Sequence, residues 1–393
     1  MAEADCQELS PVPAAASAGL WMNPDMYFLE KCFAAFVLKP MVAGLASLPE
    51  GKVMPLPPAI EKVRRVSTKL NNMSYSRLTK SWKVSTIQVP CLDCDGTVEV
   101  LVHVDPTCDE PPPLFIYIHG GGYTIGDHND SIGVMVAEAL QKKHDSPCAF
   151  ASVKYRLAPE HPAPAACFDV MAAFEHLLSE EAGTAFGYDP SRLHLYGISA
   201  GGGIAYAAAA ALCRKGLADR IGSVFLDCPM TNPMTDSTSY ARQADTWLPT
   251  SWLRWSWTGY GGAENLAAAS NPMICPHGSP EGVEAMRGVR VVVVTCMADP
   301  LHDDGIALCK ALKVAGARVA HWDFRCSHCM HFFFLPRQTK AVYKKLAELL
   351  HKPSTTQTRG RRSTRDSMVE RQSRSSSRRS SSVSSRSSLI GLI

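Results

Sequence analysis

A serine between two glycines, in Gly197-Ile-Ser-Ala-Gly201, is the first residue of this 393-residue chain with the setting of a nucleophile. The segment follows the apolar run Leu193–Tyr196 and precedes an alanine-rich stretch, so it predicts a sharp turn from a strand into a helix. Such a turn forces strained backbone angles on Ser199, and the flanking glycines remove the Cβ clashes that would forbid it. The pattern by itself is weak, because a tight turn with an incidental serine also produces it.

A glycine cluster, His119-Gly-Gly-Gly122, directly follows the apolar run Leu114–Ile118. Successive glycines let backbone N–H groups point into a cleft with no side chains in the way. The amides of Gly121, Gly122 and Ala200 would then bind the oxyanion of a tetrahedral intermediate. A glycine-rich turn without a ligand is the alternative. A phosphate cradle is disfavoured, since no Gly-Lys-Ser/Thr follows.

A serine hydroxyl needs a neighbouring base, and that base needs a carboxylate to orient it. When the nucleophile lies on a strand-to-helix turn, the acid and then the histidine follow it along the chain. Asp299 comes a few residues after the β-branched run Val289–Thr295, so we expect it to be the acid. Asp303 and Asp304 are rivals, but they lie at the predicted start of a helix, where an acidic side chain stabilises the helix dipole without any catalytic role.

Five histidines beyond Asp299 are candidates for the base: His302, His321, His328, His331 and His351. The alternating run Val319–Phe324 contains His321 and predicts a last strand. The loop between this strand and the predicted final helix is the expected place for the base. It contains both His328 and His331, and the residues alone leave the choice between them open.

Strand and helix patterns alternate through most of the chain. The predicted strands are Leu114–Ile118, Ala149–Tyr155, Leu193–Tyr196, Ser223–Leu226, Val289–Thr295 and Val319–Phe324. The predicted helices are Ile132–Lys143, Cys167–Glu180, Gly201–Arg214, Gly305–Ala315 and Thr339–His351. This alternation predicts an α/β fold with parallel strands and helices on both faces of the sheet.

Composition divides the chain into a body and a tail. We expect an N-terminal cap segment over 1–75, a catalytic domain over 76–351 with a cap insertion at 236–285, and a disordered tail over 352–393. The insertion has four tryptophans within eleven residues, at positions 247, 252, 255 and 257. The tail carries 10 Lys and Arg against 2 Asp and Glu, so its charge is +8 and that of the remaining chain −5. Such local charge opposes compaction.

Together these residues resemble the hormone-sensitive-lipase family of α/β-hydrolases over about 110–335. The resemblance rests on His119–Gly122, on Tyr155-Arg-Leu-Ala-Pro-Glu-His-Pro162 with Pro164-Ala165, on Gly197–Gly202, and on Asp299-Pro-Leu301 with Asp303. It implies a mostly parallel central sheet, helices on both faces and a helical cap. It also implies a serine carboxylic-ester hydrolase that forms an acyl-enzyme, acts on short- to medium-chain esters, and needs neither metal nor organic cofactor.

The resemblance also bears on the choice of base, because the family's histidine precedes an aromatic residue in a His-Gly-Phe-like motif. His331-Phe-Phe333 fits this motif better than His328-Cys-Met330, so the expected triad is Ser199, Asp299 and His331. Two residues depart from the family pattern. Ile198 stands where Asp or Thr is usual, and Phe332 stands where Gly is usual.

Other functions stay open at this stage. An amidase or deacetylase would use the same triad. A small-molecule receptor on a hydrolase scaffold is disfavoured, because the serine, the acid and the base are all present. The Cys91/Cys94 and Cys326/Cys329 pairs would have to meet across some 230 residues to form a four-thiolate zinc site, so we expect no metal. A disulfide in the second pair would displace the expected base.

Partners and location follow from the ends of the chain. Residues 1–11 show no basic run before an apolar stretch, and 14 scattered cysteines suit reduced thiols, so we expect a cytoplasmic protein. Charged residues interrupt Met26–Leu48, which predicts an amphipathic helix packed on the body rather than a spanning helix; reversible peripheral membrane or lipid contact is the alternative. Arg361-Arg-Ser-Thr364 and Arg378-Arg-Ser-Ser381 suit a basophilic kinase. No folded nucleic-acid-binding module is recognised.

Overall fold

The computed structural model describes residues 39–48, 53–243, 246–262, 269–334 and 339–352. Within these ranges one sheet has eight strands in the order β1-β2-β4-β3-β5-β6-β7-β8. The strands are β1 Lys83–Pro90, β2 Thr97–Val104, β3 Pro113–Ile118, β4 Ala149–Val153, β5 Asp189–Ile198, β6 Ile221–Asp227, β7 Arg290–Ala298 and β8 Arg318–Ser327. Strand β2 pairs antiparallel with both β1 and β4, and every other pair is parallel.

Helices occupy the connections between the strands and extend beyond the first and the last strand. They are α1 Lys39–Val42, α2 Pro58–Leu78, α3 Ser131–His144, α4 Ala165–Leu177, α5 Glu180–Phe186, α6 Ala200–Leu212, α7 Thr238–Arg242, α8 Thr250–Gly261, α9 Pro280–Glu284, α10 His302–Val314, α11 His331–Phe334 and α12 Thr339–Leu350. The strongly periodic helices therefore lie within a few residues of their predicted bounds.

Side chains of β3 show how the sheet is covered on both faces. All six residues of this strand are buried. Leu114, Ile116 and Ile118 pack into one apolar core, which includes residues of α4 and α6, whereas Phe115 and Tyr117 pack into a second core with residues of α3 and α12. A strand buried on both faces has a continuous run of apolar residues, and this run predicts β3 from the sequence. The predicted α/β architecture, with helices on both faces of a mostly parallel sheet, is confirmed.

The antiparallel edge of the sheet was not predicted as separate strands. Strand β1 alternates between exposed and buried residues along its second half, and its polar positions obscure the apolar ones. It pairs with β2 through a hairpin in which the Cys91 amide donates to the Gly96 carbonyl. An edge strand with one solvated face lacks the apolar run by which central strands are recognised.

The residues that directly follow four neighbouring parallel strands lie together at the edge formed by the carboxyl ends of those strands. Ser199 follows β5, Cys228 follows β6, Asp299 follows β7 and His328 follows β8. The carboxyl ends of parallel strands meet at the same edge, and ligands of open α/β sheets bind there. Topology therefore brings four chemically versatile side chains into one row.

The two ends of the chain lie outside the described residues. This applies to the predicted tail from 353 onward and to most of the predicted amphipathic helix over Met26–Leu48. The domain bounds, the membrane contact and the kinase sites therefore stay predictions. Among the described helices, none is both long enough and apolar enough to cross a membrane.

The turn between β5 and α6 depends on two glycines that pack against the backbone. A Cβ added to Gly197 would lie 2.2 Å from the Gly201 carbonyl oxygen. One added to Gly201 would lie 2.2 Å from the Ile118 carbonyl oxygen, so helix α6 approaches strand β3 without room for a methyl group. These contacts involve backbone atoms, which a side-chain rotation cannot relieve.

We predict that Gly201→Ala destabilises the fold by about 3 kcal/mol or more, at or above the upper end of the usual cost of overpacking. Thermal unfolding monitored by circular dichroism measures the change. Gly96→Ala is the matched control, because its added Cβ would meet only cysteine sulfurs at 3.5 and 3.6 Å. Equal melting temperatures for the two variants would contradict the tight turn.

Candidate active site

Ser199 adopts the strained backbone that its flanking glycines predicted. Its φ is 57° and its ψ −121°, which places a non-glycine residue in a rarely occupied region. The Ser199 amide donates to the Asp227 carbonyl oxygen at 2.8 Å, and the Ser199 carbonyl accepts from the amides of Gly202 and Gly203. The residue directly follows the end of β5 and is 7% exposed. The residue is therefore held from both sides by backbone hydrogen bonds.

The predicted oxyanion glycines lie beside this serine. A Cβ added to Gly120 would lie 3.3 Å from the Ser199 Cβ, so the loop after β3 packs directly on the turn. Gly121 and Gly122 follow with φ values of 118° and 56°, which glycine adopts without strain. The Gly121 carbonyl accepts from two amides three and four residues ahead, so the loop is a closed turn. Ala200, the third predicted donor, is the first residue of α6.

The Tyr155 segment, one of those on which the resemblance rests, braces the same loop. The Tyr155 hydroxyl donates to the His119 carbonyl at 3.0 Å, and the two rings stack with centroids 4.2 Å apart. Next to it, the fully buried Asp169 carboxylate accepts from the Arg156 amide at 2.8 Å and pairs with the guanidinium at 2.8 Å. This buried ion pair fixes the segment that supports the loop.

Two helices from outside the sheet also contact the loop. Arg64 of α2 donates to the Thr124 carbonyl at 2.7 Å and to the Ala158 carbonyl at 2.9 Å. From α8, the Trp252 indole N–H donates to the Thr124 hydroxyl at 3.3 Å. A Cβ on Gly122 would lie 2.9 Å from the Trp252 ring. Parts of both predicted cap segments therefore border the loop after β3 that holds the predicted oxyanion glycines.

Asp299 is paired with His328. The His328 Nδ1–H donates to Asp299 Oδ2 at 2.6 Å, and the Leu301 amide donates to the other carboxylate oxygen at 2.9 Å. Both side chains are buried, at 1% and 4% exposure. Burial by itself would lower the pKa of His328, but the adjacent Asp299 carboxylate outweighs it and raises that pKa well above its usual value. The Trp247 ring lies over His328 at a centroid distance of 5.9 Å.

His331 does not occupy the position predicted for it beside Asp299. Its Nε2 lies 3.1 Å from Asp227 Oδ2, and its Nδ1 lies 3.5 Å from the Cys296 sulfur. The physical reason is the length of the last strand, since β8 ends at Ser327 and His328 is the first residue beyond it. His331 instead begins the short helix α11 and is buried at 1% exposure.

A signal for His328 existed but was hidden by the residue that follows it. Cys329 has a φ of 57°, in the left-handed region that favours glycine. The glycine of a His-Gly-Phe-like motif would therefore align with Cys329 rather than with Phe332. A cysteine gives no sequence signal for a left-handed conformation. The aromatic residue after His331 is therefore the stronger sequence signal, although the structure pairs Asp299 with His328.

The other candidates for acid and base have partners elsewhere. Asp303 pairs with Arg242 and His302, and Asp304 accepts from Ser237, from Asn232 at 3.1 Å and from the Tyr240 hydroxyl at 3.1 Å. Burial raises the pKa of Asp304 to about 7 despite these donors. The remaining histidines bond to Asp323 (His302), Thr295 (His321) and Ser146 (His351).

The two Cys-x-x-Cys pairs do not meet. Cys91 directly follows β1, whereas Cys326 lies in β8, and these strands form opposite edges of the sheet. The four-thiolate zinc site considered from the sequence is therefore not formed.

Comparisons with known proteins identify the family and the fold. A family model described as an α/β-hydrolase fold matches residues 115–335. The carboxylic ester hydrolase LipN of Mycobacterium tuberculosis is 32% identical over 223 residues, which are 55% of this chain and 56% of LipN. The esterase LipI of the same organism is 32% identical over 57% of this chain and 68% of its own. This chain therefore spans little more than half of LipN.

Solved structures share the fold. A bacterial heroin esterase superposes with a TM-score of 0.66 and 26% identity, over 79% of this chain and 97% of its own. A fungal esterase of Rhizomucor miehei superposes with a TM-score of 0.67 over 84% of this chain and 96% of its own. The second is only 19% identical, so it bears on the fold alone.

We predict a pH-dependent contribution of Asp304 to stability. Its folded-state pKa of about 7 exceeds the ordinary aspartate value, so folding takes up a proton and stability falls as pH rises towards 7. The unfolding free energy of wild type relative to Asp304→Asn should fall by about 3 kcal/mol between pH 5 and pH 8. Urea unfolding at both pH values measures this.

Asp189→Asn serves as the control for that measurement. Hydrogen bonds from Ser191 and Arg192 offset the effect of burial and lower the pKa of Asp189, so this group is ionised in both states throughout the range. Its stability difference from wild type should be the same at both pH values. A similarly constant difference for Asp304→Asn would contradict the raised pKa.

Proposed function

This chain belongs to the hormone-sensitive-lipase family of α/β-hydrolases, and we propose that it hydrolyses carboxylic esters through an acyl-enzyme on Ser199. The observation that carries the proposal is the buried Asp299–His328 pair, which shares a sheet edge with the strained serine and the glycine loop. The named ester hydrolases among its relatives support the same reaction.

In this proposal Ser199 is the nucleophile, His328 the base and Asp299 the acid that orients it. His328 donates Nδ1–H to Asp299, so its Nε2 carries the lone pair that removes the proton from the serine hydroxyl. The carboxylate then stabilises the imidazolium that forms. The raised pKa of His328 has this same cause, because Asp299 favours the protonated ring.

The amides of Gly121, Gly122 and Ala200 form the proposed oxyanion hole. Ala200 begins α6, and the first N–H groups of a helix have no partner within the helix. They are also favourably placed for a negative charge by the helix dipole. Each donor of this kind contributes about 3 kcal/mol to transition-state stabilisation.

The reaction proceeds in two acyl transfers. The Ser199 oxygen attacks the ester carbonyl while His328 takes its proton, and the carbonyl oxygen becomes an oxyanion. The C–O bond to the alcohol then breaks, and His328 returns the proton to the leaving alkoxide. Water attacks the acyl-serine in the same way, which releases the acid and restores the hydroxyl. No step requires a metal or an organic cofactor.

Short- to medium-chain esters are the proposed substrates. Trp247 lies over the base and Trp252 packs against Gly122, so large rings border the reacting groups on two sides. Aromatic walls of this kind favour apolar acyl or alcohol groups of limited size. An amidase or deacetylase would use the same groups, and rates on p-nitrophenyl esters and on matched anilides separate these activities.

We predict that a fluorophosphonate probe labels wild type and not Ser199→Ala, because only an activated serine attacks phosphorus. Ser199→Ala should also lower kcat for p-nitrophenyl butyrate by about 10⁵ or more. Ser223→Ala, which removes a buried hydroxyl far from the turn, is a control for labelling and should still react. Persistent labelling of Ser199→Ala would refute the nucleophile, and absent turnover by labelled wild type would exclude these esters as substrates.

We predict that His328→Gln lowers kcat/KM by about 10³ or more, since the serine loses its base. His331→Gln should keep at least about a tenth of the activity, because that ring faces Asp227 and Cys296 instead. Stopped assays on p-nitrophenyl butyrate compare the two, with circular dichroism to check folding. The opposite ranking in two folded variants would restore His331 as the base.

A further inference from the structure

A buried group of thiols lies beneath the proposed triad and has no role in ester hydrolysis. Cys228, Cys296 and Cys326 are exposed by 1% or less, and His331 lies among them at 1% exposure. They come from three neighbouring elements of the sheet edge: the residue after β6, strand β7 and strand β8. Buried sulfur and imidazole at one point are the donor atoms that thiophilic metals select.

The donor atoms converge. The sulfurs of Cys228 and Cys296 are 3.4 Å apart, and the Cys296 sulfur is 3.5 Å from His331 Nδ1. All three donor atoms lie within 4.8 Å of one another. In a tetrahedral zinc site, bonds of 2.0–2.3 Å place neighbouring donors about 3.5–3.8 Å apart. The Cys228–Cys296 and Cys296–His331 distances lie within about 0.4 Å of these values. The third pair, Cys228 with His331, lies within 4.8 Å and closes on the metal as it binds.

We propose that Cys228, Cys296 and His331 bind one zinc ion. Binding breaks the two S–H bonds, releases both protons to solvent and forms two Zn–S bonds and one Zn–N bond, with no change of oxidation state. The result is neutral, because two thiolates balance the charge of Zn²⁺, and a neutral centre suits a buried position. The sulfur of Cys326, 3.4 Å from that of Cys296, is a further sulfur donor beside the site.

His331 is oriented for this role by its outer partner. Its Nε2–H donates to Asp227 Oδ2, so a neutral ring presents the Nδ1 lone pair towards Cys296. Metal-binding histidines typically have such a carboxylate behind them, which fixes the tautomer and strengthens the ligand. Stacking on Phe324, with centroids 5.0 Å apart and planes 4° from parallel, holds the ring in that orientation.

Asp227 supplies a second electrostatic reason. The carboxylate is 3% exposed, and its Oδ1 has no hydrogen-bond partner among the described residues. An incompletely paired buried anion is costly. Zinc bound to Nδ1 would polarise the His331 ring and so strengthen the hydrogen bond that Asp227 Oδ2 accepts from Nε2–H.

The backbone of Cys228 is held in an unusual conformation at the proposed site. Its φ is 44°, a left-handed conformation that is unfavourable for a non-glycine residue. Its amide donates to the Val294 carbonyl at 2.8 Å, which fixes the residue against β7. Strained residues persist where the surroundings hold them, and they concentrate at functional sites.

The site is joined to the nucleophile through Asp227, whose carbonyl accepts the Ser199 amide. Zinc would therefore connect the ends of β6 and β7 to the turn that carries Ser199. The proposed ligands do not include Ser199 or His328, so zinc binding can be tested independently of ester hydrolysis. Zinc bound only to the folded state should raise the melting temperature.

Metal titration of the reduced, metal-stripped full chain tests the proposal. Zn²⁺ is titrated in competition with a chromophoric chelator, and Co²⁺ is used as a spectroscopic probe. We expect one equivalent of either metal, and Co²⁺ should show a thiolate charge-transfer band with intense visible bands of tetrahedral coordination. Absence of a thiolate band in folded wild type would overturn the proposal, whatever the variants do.

Variants locate the site. Cys296→Ala and His331→Ala should each lower zinc affinity at least tenfold, and Asp227→Asn should lower it 10- to 100-fold without removing a ligand. Cys148→Ala, which removes a buried thiol elsewhere, and the double change Cys91→Ser with Cys94→Ser, which removes an exposed pair, should leave affinity unchanged. Loss of binding only in the Cys91/Cys94 variant would overturn the assignment. If the ligand variants do not fold, protection of Cys228 and Cys296 from alkylation by stoichiometric Zn²⁺ decides, and no protection refutes the site.

Discussion

The left-handed backbone of Ser199 is the constraint on which the rest of the site depends. A residue with a φ of 57° between a strand and a helix persists only if its neighbours enforce it. Here the Asp227 carbonyl holds its amide, α6 begins at the next residue, and Gly201 packs against the carbonyl of Ile118 with no room for a methyl group. The same close approach brings the glycine loop after β3 against the serine, so the proposed nucleophile and the proposed anion site are positioned by one contact.

The second organising feature is the row of strand ends. Two histidine–aspartate pairs form along it: Asp299 with His328, and Asp227 with His331. They differ in the ring nitrogen that contacts the aspartate. His328 contacts Asp299 through Nδ1, whereas His331 contacts Asp227 through Nε2 and places its Nδ1 beside the Cys296 sulfur. One pair suits proton transfer and the other suits metal binding, although both arise from the same alternation of strand ends and loops.

Sequence reasoning succeeded where local backbone requirements leave a mark. The glycines around Ser199 and in the loop 119–122 indicate backbone segments that pack closely together or adopt a positive φ. Asp299 directly follows β7, whose apolar run clearly predicts a strand. It did not identify the histidine that pairs with Asp299, because the left-handed position after His328 is occupied by Cys329 rather than by glycine. It also overlooked Asp227, which ends an ordinary buried strand, and Cys228, which follows it, because neither belongs to a local motif.

The sequence by itself determined the alternation of strands and helices, the strained serine turn and the glycine loop, because each depends on residues close together in the chain. Only the tertiary structure decided which histidine meets Asp299 and which thiols meet His331. Those partners come from strands far apart in sequence, and the side chains that meet depend on where β8 ends relative to β7. A difference of three residues separates His328 from His331, and no local preference encodes the register that chooses between them.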